Sequence, residues 1–599
     1  MKKIINNVLC LVIAALLSVS ALSGCGNASE TQNSGSASGE SGTDAKLDQD
    51  DSGVTNDIYD GTAESSEQDY EAGNDTYDSG SDRNGSYDQS AASAGEAESD
   101  SADYFAYGDQ TKQQYNEYYI IGEESEYGYY YREPNTEEYN ETDEMGFTAV
   151  ALNPLSTFSA DVDTASYSNL RRMIEDGYRL NDIPVGSVRI EELLNYFDYD
   201  YAKPKKGEPF GVTTQIADCP WNDNTKIAMI GLKTKDIDFS EAKPSNLVFL
   251  IDVSGSMYDD DKLPLLQRSF SLLTENLTSK DTVSIVVYAS EDRVVLEGAN
   301  GSEHKLITDT VNSLEASGST YGSSGIITAY SIAEKYFIKG GNNRVILATD
   351  GDLNVGLTTQ EELEALITEK KESGVYLSVL GFGTGNIKDN KMETLADKGN
   401  GNYAYIDSIT EAKKVLVEEM GATLVTVAED VKFQVEFNPN VVAGYRLIGY
   451  ENRQLAEQDF ADDTKDAGEI GAGHTVTVLY EIVTTDTATT YSGTELKYKK
   501  GEKLPDEEWF TVNIRYKDPG SSTSKLQSYP VDKKKYVENP SSDMQFAMAV
   551  AEFGLVVTDS EYKGNATMRS VIDRLKTIDT KSDEYKDEFC YLVRRLEKN

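Results

Sequence analysis

The stretch Asn246–Met257, NLVFLIDVSGSM, decides the fold of the central part of this chain. An apolar run is followed at once by Asp252, Ser254 and Ser256. A short continuous apolar run of this kind is typical of a strand that is buried on both faces of a parallel sheet. The sequence therefore predicts a buried strand whose carboxyl end carries one carboxylate and two hydroxyls.

Two other stretches supply further oxygen ligands. Thr320 lies in the polar loop Gly318-Ser319-Thr320, and Asp350 directly follows a second apolar run, Arg344–Thr349. Carboxylate and hydroxyl oxygens are hard ligands that suit a small divalent cation such as Mg²⁺. The first stretch alone could arise by chance in a chain rich in Ser and Asp, so the prediction of a metal site depends on all three stretches together.

The spacing of Asp252, Ser254, Ser256, Thr320 and Asp350 resembles the metal-ion-dependent adhesion site of von Willebrand factor type A domains. The resemblance implies that the serines and the threonine touch the metal, while the aspartates hold it largely through water. Mg²⁺ is the implied ion, with Mn²⁺ or Ca²⁺ as alternatives. A cation held by neutral hydroxyls keeps most of its charge, so its open position should attract a carboxylate of a protein partner.

Residues 245–423 alternate between apolar strand-like runs and helical patterns. This alternation predicts an α/β domain with a mostly parallel sheet and helices on both faces. Ligands of such sheets bind beyond the carboxyl ends of the strands. The predicted site therefore lies where a ligand would be expected, and Gly381-Phe-Gly-Thr-Gly385 is interpreted as a tight turn beside it.

Residues 149–244 form a predicted amino-terminal module with strands at Phe210–Ile216 and Lys226–Leu232. Asp161 and Asp163 invite comparison with the nucleophile motif of haloacid-dehalogenase-type phosphatases, but no long buried strand precedes them. We expect Asp163 or Thr164 to cap a helix instead.

Residues 424–599 form a predicted carboxyl-terminal module. Apolar and polar residues alternate in Val431–Phe437, Val476–Ile482 and Phe510–Tyr516, which predicts half-buried antiparallel strands, and the last part looks helical. Both modules resemble those that flank the type A domain in one group of bacterial proteins. Because the domain leaves and rejoins neighbouring β-rich modules, we expect strands from both flanks to form one platform into which the domain is inserted.

The amino terminus predicts a bacterial lipoprotein. Two lysines precede an apolar run, Val8–Ala21, that is too short for a durable membrane span. The run ends in Leu22-Ser-Gly-Cys25, which resembles a lipobox, so residues 1–24 would be a signal peptide and Cys25 the lipidated residue. An ordinary secretory signal is the alternative. The lipoprotein interpretation places the protein outside the cytoplasmic membrane, held by lipid.

Residues 25–148 are interpreted as a disordered acidic tether. Between residues 26 and 145 there are 31 acidic and 4 basic residues, with few aliphatic side chains, so the segment cannot bury enough apolar surface to fold. Its tyrosine-dense part, Tyr115–Tyr139, is alternatively a ligand-like segment. The acidity argues against nucleic acid as a partner.

Enzyme chemistry finds little support in the sequence. The two histidines, His304 and His474, do not form a zinc-protease motif, and no nucleophile elbow or phosphate loop occurs. Asp462–Gly468 lacks the glycine that a calcium loop needs, because Ala467 takes its place. Cys219 and Cys590 could pair or be separate buried thiols, and the sequence leaves this open.

These observations predict a cell-surface lipoprotein, not an enzyme, that binds an acidic side chain of a protein partner through a divalent cation. An envelope scaffold or regulator of a membrane protein complex is the alternative. A metal-dependent hydrolase is a third candidate, but no base stands out beside the metal ligands.

Overall fold

The computed structural model describes residues 135–236, 243–319, 322–351, 360–419, 425–487 and 507–598. Cys25, Thr320 and the tether up to residue 134 lie outside these ranges. None of the helices within them is both long and apolar enough to cross a membrane.

The central domain contains the predicted parallel sheet. Five of its strands are parallel and the sixth, at one edge, pairs antiparallel. The strands, in chain order, are β5 (Ser245–Asp252), β6 (Thr282–Tyr288), β7 (Asp292–Asn300), β8 (Asn342–Thr349), β9 (Tyr376–Phe382) and β10 (Tyr403–Ile406). Their order in the sheet is β10-β9-β8-β5-β6-β7, which puts β5 and β8 side by side at its centre.

Helices cover both faces of this sheet, as the sequence predicts. The helices are α3 (Leu263–Thr274), α4 (His304–Asn312), α5 (Gly322–Lys335), α6 (Gln360–Lys371), α7 (Asp389–Lys398) and α8 (Ile409–Lys413) with its continuation Lys414–Glu418. Helices α3, α4 and α8 share a core with Phe249, whereas α5, α6 and α7 share one with Leu250. Neighbouring residues of β5 thus point to opposite cores, and the strand is buried throughout.

The flanking modules together form a two-sheet platform. The first sheet has the order β1-β12-β14-β4-β3, and in the second β13, β11, β15 and β16 follow one another, with β2 also paired to β11. The strands are β1 (Thr148–Ala149), β2 (Leu155–Ser159), β3 (Phe210–Asp218), β4 (Lys226–Thr234), β11 (Thr426–Phe437), β12 (Val442–Ile448), β13 (Gly468–Gly471), β14 (Thr475–Thr484), β15 (Glu508–Lys517) and β16 (Ser524–Asp532). The two sheets share one apolar core.

A helical layer covers the outer face of the first sheet. It consists of α1 (Ala165–Glu175), α2 (Ile190–Asn195), α9 (Ser542–Val557), α10 (Met568–Leu575) and α11 (Glu584–Lys598). Ile227 and Met229 of β4 pack into this layer, whereas Ile230 and Leu232 of the same strand pack between the sheets. Strand β4 is therefore buried on both faces.

Strands from both ends of the chain pair directly, which confirms the predicted platform. Strand β4 pairs with β14 over eight residue pairs, and β2 pairs with β11. The chain enters the central domain after Thr234, whose hydroxyl donates to the Gly471 carbonyl at 2.7 Å. It leaves the domain before Val425, whose carbonyl accepts from the amide of Ala472 at 2.9 Å. The points where the chain enters and leaves the domain therefore lie close together.

Buried arginines fasten the central domain to the platform. Arg171 of α1 pairs with Asp407 and with Glu411, the latter at 2.7 Å. Arg189 reaches Asp389 at 2.6 Å. These arginines are held by carboxylates on α7, on α8 and in the turn before α8, so the orientation of the domain is set by several ion pairs at one interface.

Residues 135–140, named here the rim segment, lie on the central domain. The amide of Thr136 donates to the Gly385 carbonyl at 2.7 Å, and the amide of Glu138 donates to the Ile387 carbonyl at 2.9 Å. The rim segment belongs to the predicted tether, residues 25–148, yet its backbone is hydrogen-bonded to the central domain.

Candidate metal centre

The carboxylate of Asp252 is fixed at the end of β5. Its Oδ1 accepts from the amide of Ser254 at 2.9 Å, and its Oδ2 accepts from the hydroxyl of Thr349 at 3.2 Å. The side chain is fully buried. The parallel register, in which Ile251 lies opposite Ala348, places Asp252 beside the end of β8, so the two strands deliver their polar residues to one place.

The two serines follow in a tight turn. Ser254 is extended, and a 3₁₀ turn, Gly255–Tyr258, begins directly after it. The hydroxyls of Ser254 and Ser256 then lie 3.0 Å apart. Residues two apart in a straight strand would also share a face, but the turn brings the hydroxyl oxygens close enough to serve one small cation.

Asp350 shares the crevice with Asp252. Burial, and then the negative charge of Asp350, raise the pKa of Asp252 to about 7. Two buried carboxylates beside two hydroxyls are unfavourable for each other unless a cation compensates them. The donor set, all hard oxygens, fits Mg²⁺ or a similar divalent ion.

Thr320 lies outside the described residues, but the loop that leads to it is described. The amide of Gly255 donates to the Gly318 carbonyl at 2.9 Å, and the amide of Ser317 donates to the Val253 carbonyl at 2.8 Å. Gly318 has φ +83°, and a Cβ there would lie 2.6 Å from the hydroxyl of Ser290. This left-handed backbone favours glycine at position 318. The glycine thereby holds its carbonyl against the amide of Gly255 in the serine turn.

Sequence reasoning missed a lysine at this site. Lys262, at the start of α3, is buried, and its Nζ lies 3.0 Å from Oδ2 of Asp350 and 3.2 Å from Oδ1 of Asn386. A single lysine after a polar run carries no sequence signal for such a role. The glycine-rich turn at residues 381–385 was a pointer, since Gly383 packs directly against the lysine stem.

Of the two residues expected to cap a helix, Thr164 does occupy the N-cap position of α1, but its side chain makes no capping hydrogen bond. The amide of Ser166 in the first turn donates instead to Oε2 of Glu192 at 2.8 Å. Asp163 instead accepts from the amide of Tyr403 at 2.9 Å and pairs with Arg453 at 3.3 Å. Asp161 pairs with the same guanidinium at 3.4 Å. The ion pair between modules engages one oxygen of each aspartate and draws Asp163 away from the start of α1.

In a second group of three carboxylates, two pair with lysines. Asp430, Asp466 and Glu469 have oxygen atoms within 4.8 Å of one another. Lys517 pairs with Asp430 at 2.5 Å and Lys371 pairs with Asp466 at 2.6 Å. This cluster is thus largely a network of ion pairs at the edge of the second sheet.

Three family descriptions match successive parts of the chain. "Von Willebrand factor" matches residues 133–229, "von Willebrand factor type A domain" matches residues 246–418, and "Uncharacterized protein YfbK, C-terminal" matches residues 422–598. None of these descriptions names an enzyme.

Two curated relatives and one solved structure are similar to this chain. The Escherichia coli protein "Uncharacterized protein YfbK" is 42% identical over 449 residues, which cover 73% of this chain and 77% of the relative. Human "Inter-alpha-trypsin inhibitor heavy chain H3" is 25% identical over 260 residues, or 40% of this chain and 28% of that protein. The solved structure "von Willebrand factor type A from Catenulispora acidiphila" is 16% identical with a TM-score of 0.39, covering 66% of this chain and 91% of that chain.

Domains of type A typically mediate contacts between proteins, and the divalent-cation site is a frequent feature of them. The three family descriptions match successive modules of the chain, and the similarity to the Escherichia coli protein covers 73% of it. This chain therefore belongs to the YfbK family and carries a von Willebrand factor type A domain between the two modules of its platform.

Proposed function

We propose that this protein is a lipid-anchored, extracytoplasmic adhesion or interaction protein. It binds an acidic side chain of a protein partner through a divalent cation held by Asp252, Ser254, Ser256, Thr320 and Asp350. The single observation that carries the proposal is the buried Asp252–Asp350 pair, whose neighbouring serine hydroxyls lie 3.0 Å apart.

The ligand chemistry favours binding over catalysis. The hydroxyls would hold the ion without neutralising it, and a bound divalent ion supplies an electrophilic position for a carboxylate oxygen. Among the described residues, the groups in contact with Asp252 include Thr349, the amide and hydroxyl of Ser254 and the hydroxyl of Tyr288, and Lys262 joins them through Asp350. None of these is placed as a general base for hydrolysis.

The anchor part of the proposal rests on the Leu-Ser-Gly-Cys25 stretch, and the acidic chain that follows would hold the domain away from the membrane. A partner on another cell or in the surrounding matrix would suit this arrangement.

One observation favours the alternative of an envelope scaffold. The rim segment is bonded to Gly385 and Ile387 near the crevice. Residues 135–140 therefore lie on the side of the domain that carries the metal ligands. A partner in the same membrane would meet this side without passing the platform.

The test uses the full chain with two variants. Asp252→Ala should abolish Mg²⁺ binding in calorimetry and should remove any partner captured in an EDTA-sensitive manner. Asp309→Ala is the matched control, because Asp309 is an exposed residue of α4 whose carboxylate pairs with Lys305. Undiminished Mg²⁺ binding by Asp252→Ala would refute the metal site. Capture of a protein from the same membrane supports the scaffold, and capture of an external protein supports adhesion.

A further inference from the structure

Lys262 places a fixed positive charge at the candidate metal centre. Its side chain is 6% exposed, and its partner Asp350 is fully buried. A buried ammonium is costly unless a carboxylate compensates it, so the 3.0 Å contact with Asp350 defines where the charge resides.

The lysine is held in place along its whole length. Gly383 has φ +78°, and a Cβ there would lie 2.3 Å from Cγ and Cε of Lys262. The Nζ atom also donates to Oδ1 of Asn386 at 3.2 Å. Because Gly383 leaves room for the stem and Asn386 holds the head, the ammonium has a defined position beside Asp350.

The loop that holds the lysine, residues 383–388, is itself fastened. The rim segment supplies two backbone hydrogen bonds to it, from Thr136 and Glu138. Oε1 of Glu137 accepts from the amide of Gly385 at 2.9 Å, and Oε2 of the same side chain lies 3.1 Å from Arg172. The position of Lys262 is thus set by contacts outside the site as well as within it.

The charges of the site then favour an anionic ligand. Asp252 and Asp350 contribute two formal negative charges and Lys262 contributes one positive charge, so a bound divalent cation would leave the site with a net positive charge. Without the lysine the loaded site would be neutral. Repulsion between ammonium and metal weakens binding of the metal alone, and an anion relieves it.

We propose that Lys262 is a specificity-determining residue that makes metal binding depend on an anionic ligand. This inference rests on the proposed function, since it concerns the same metal site. With the metal bound, the lysine leaves the site positively charged. A carboxylate neutralises this charge, so the metal and the carboxylate are bound together.

The experiment measures Mg²⁺ affinity of the full chain by calorimetry, in sodium chloride and in sodium acetate at equal ionic strength. Lys262→Gln removes the charge and keeps a hydrogen-bond donor, whereas Lys262→Arg keeps the charge. Lys305→Gln, at an exposed position of α4, is the control. Lys262→Gln should bind Mg²⁺ at least about tenfold tighter in chloride, and acetate should strengthen binding much less than in the unmodified chain. Lys262→Arg and the control should behave like the unmodified chain.

The outcomes separate the two proposals. If the unmodified chain binds Mg²⁺ in neither salt, the proposed function fails and the role of Lys262 fails with it. If the unmodified chain binds Mg²⁺ but Lys262→Gln binds it equally or more weakly, or keeps the full acetate effect, only the role of Lys262 is overturned. If thermal unfolding shows that Lys262→Gln does not fold without Mg²⁺, Lys262→Arg decides instead: an acetate effect as large as that of the unmodified chain supports the role, and its loss overturns it.

Discussion

Removing the chain after residue 421 should unfold the amino-terminal part of the platform while leaving the type A domain folded. Strand β4 loses its partner β14, with which it forms eight residue pairs, and β2 loses β11. The helices α9 to α11 and all strands of the second sheet except β2, which cover the two faces of β4, are also removed.

The size of the effect follows from the apolar side chains that become exposed. Six large ones on β3 and β4 are at most 1% exposed in the structure: Phe210, Ile216, Ile227, Met229, Ile230 and Leu232. Exposing a fully buried side chain of this kind costs about 2 kcal/mol, so the set amounts to about 12 kcal/mol. A domain is stable by only 5–15 kcal/mol in total, roughly, so the truncated module should not fold.

Tryptophan fluorescence gives a direct assay. Trp221, 1% exposed, follows β3, and Trp509 lies beyond the truncation, so residues 135–421 contain Trp221 alone. Its emission should be that of an exposed tryptophan, without a cooperative urea transition. Residues 135–598 with Trp509→Phe serve as the matched control and should show buried emission. Buried emission and a cooperative transition of Trp221 in the truncated chain would refute the reasoning.

Four other predictions address the anchor, the fold boundary, stability and the thiols. Cys25→Ser should abolish lipid labelling and release the protein or leave its signal uncleaved; persistent labelling contradicts the lipoprotein proposal. Limited proteolysis should stall close to Asn135, where contacts with the domain begin, and a resistant fragment starting near residue 26 contradicts the tether. Burial raises the pKa of Glu411 from 4.5 to about 7, so the folded chain retains a proton that the unfolded chain loses between these values. Stability should therefore fall as pH rises from 4.5 to 7, and Glu411→Gln should reduce this fall, by on the order of 3 kcal/mol, in urea unfolding at pH 5 and pH 8; an unchanged slope contradicts the assignment. Cys219 and Cys590 are free and buried, so a thiol reagent should label them only after unfolding, and rapid labelling of the native chain would be contrary to this.

Several parts of the fold were predictable because they depend on local periodicity. The apolar run of β5 and the alternating pattern of β14 report how many faces of a strand are buried, and this is a property of neighbouring residues. Both strands occur, with bounds Ser245–Asp252 and Thr475–Thr484. The expectation that β14 is half-buried is wrong, because the helical layer covers the outer face of the first sheet and buries all ten residues of the strand. The convergence of Asp252 and Asp350 was predictable as well, because carboxyl ends of adjacent parallel strands meet at one edge.

Other features could not be predicted because they depend on partners far along the chain. Asp163 has the short side chain typical of a helix cap, yet its hydrogen bond goes to Tyr403, 240 residues away. The sequence also left the state of Cys219 and Cys590 open, and only the structure shows both thiols free. Local propensity is a weak guide wherever a tertiary ion pair competes with a local hydrogen bond.

By itself, the sequence determined the α/β class of the central domain, the residues at the ends of β5 and β8, and the β-rich character of both flanks, since each follows from burial patterns within a few residues. Only the tertiary structure decided that β4 pairs with β14, and that Lys262 lies on Asp350 beneath the loop held by the rim segment. Pairing and packing across hundreds of residues depend on which surfaces meet, and no local pattern records that.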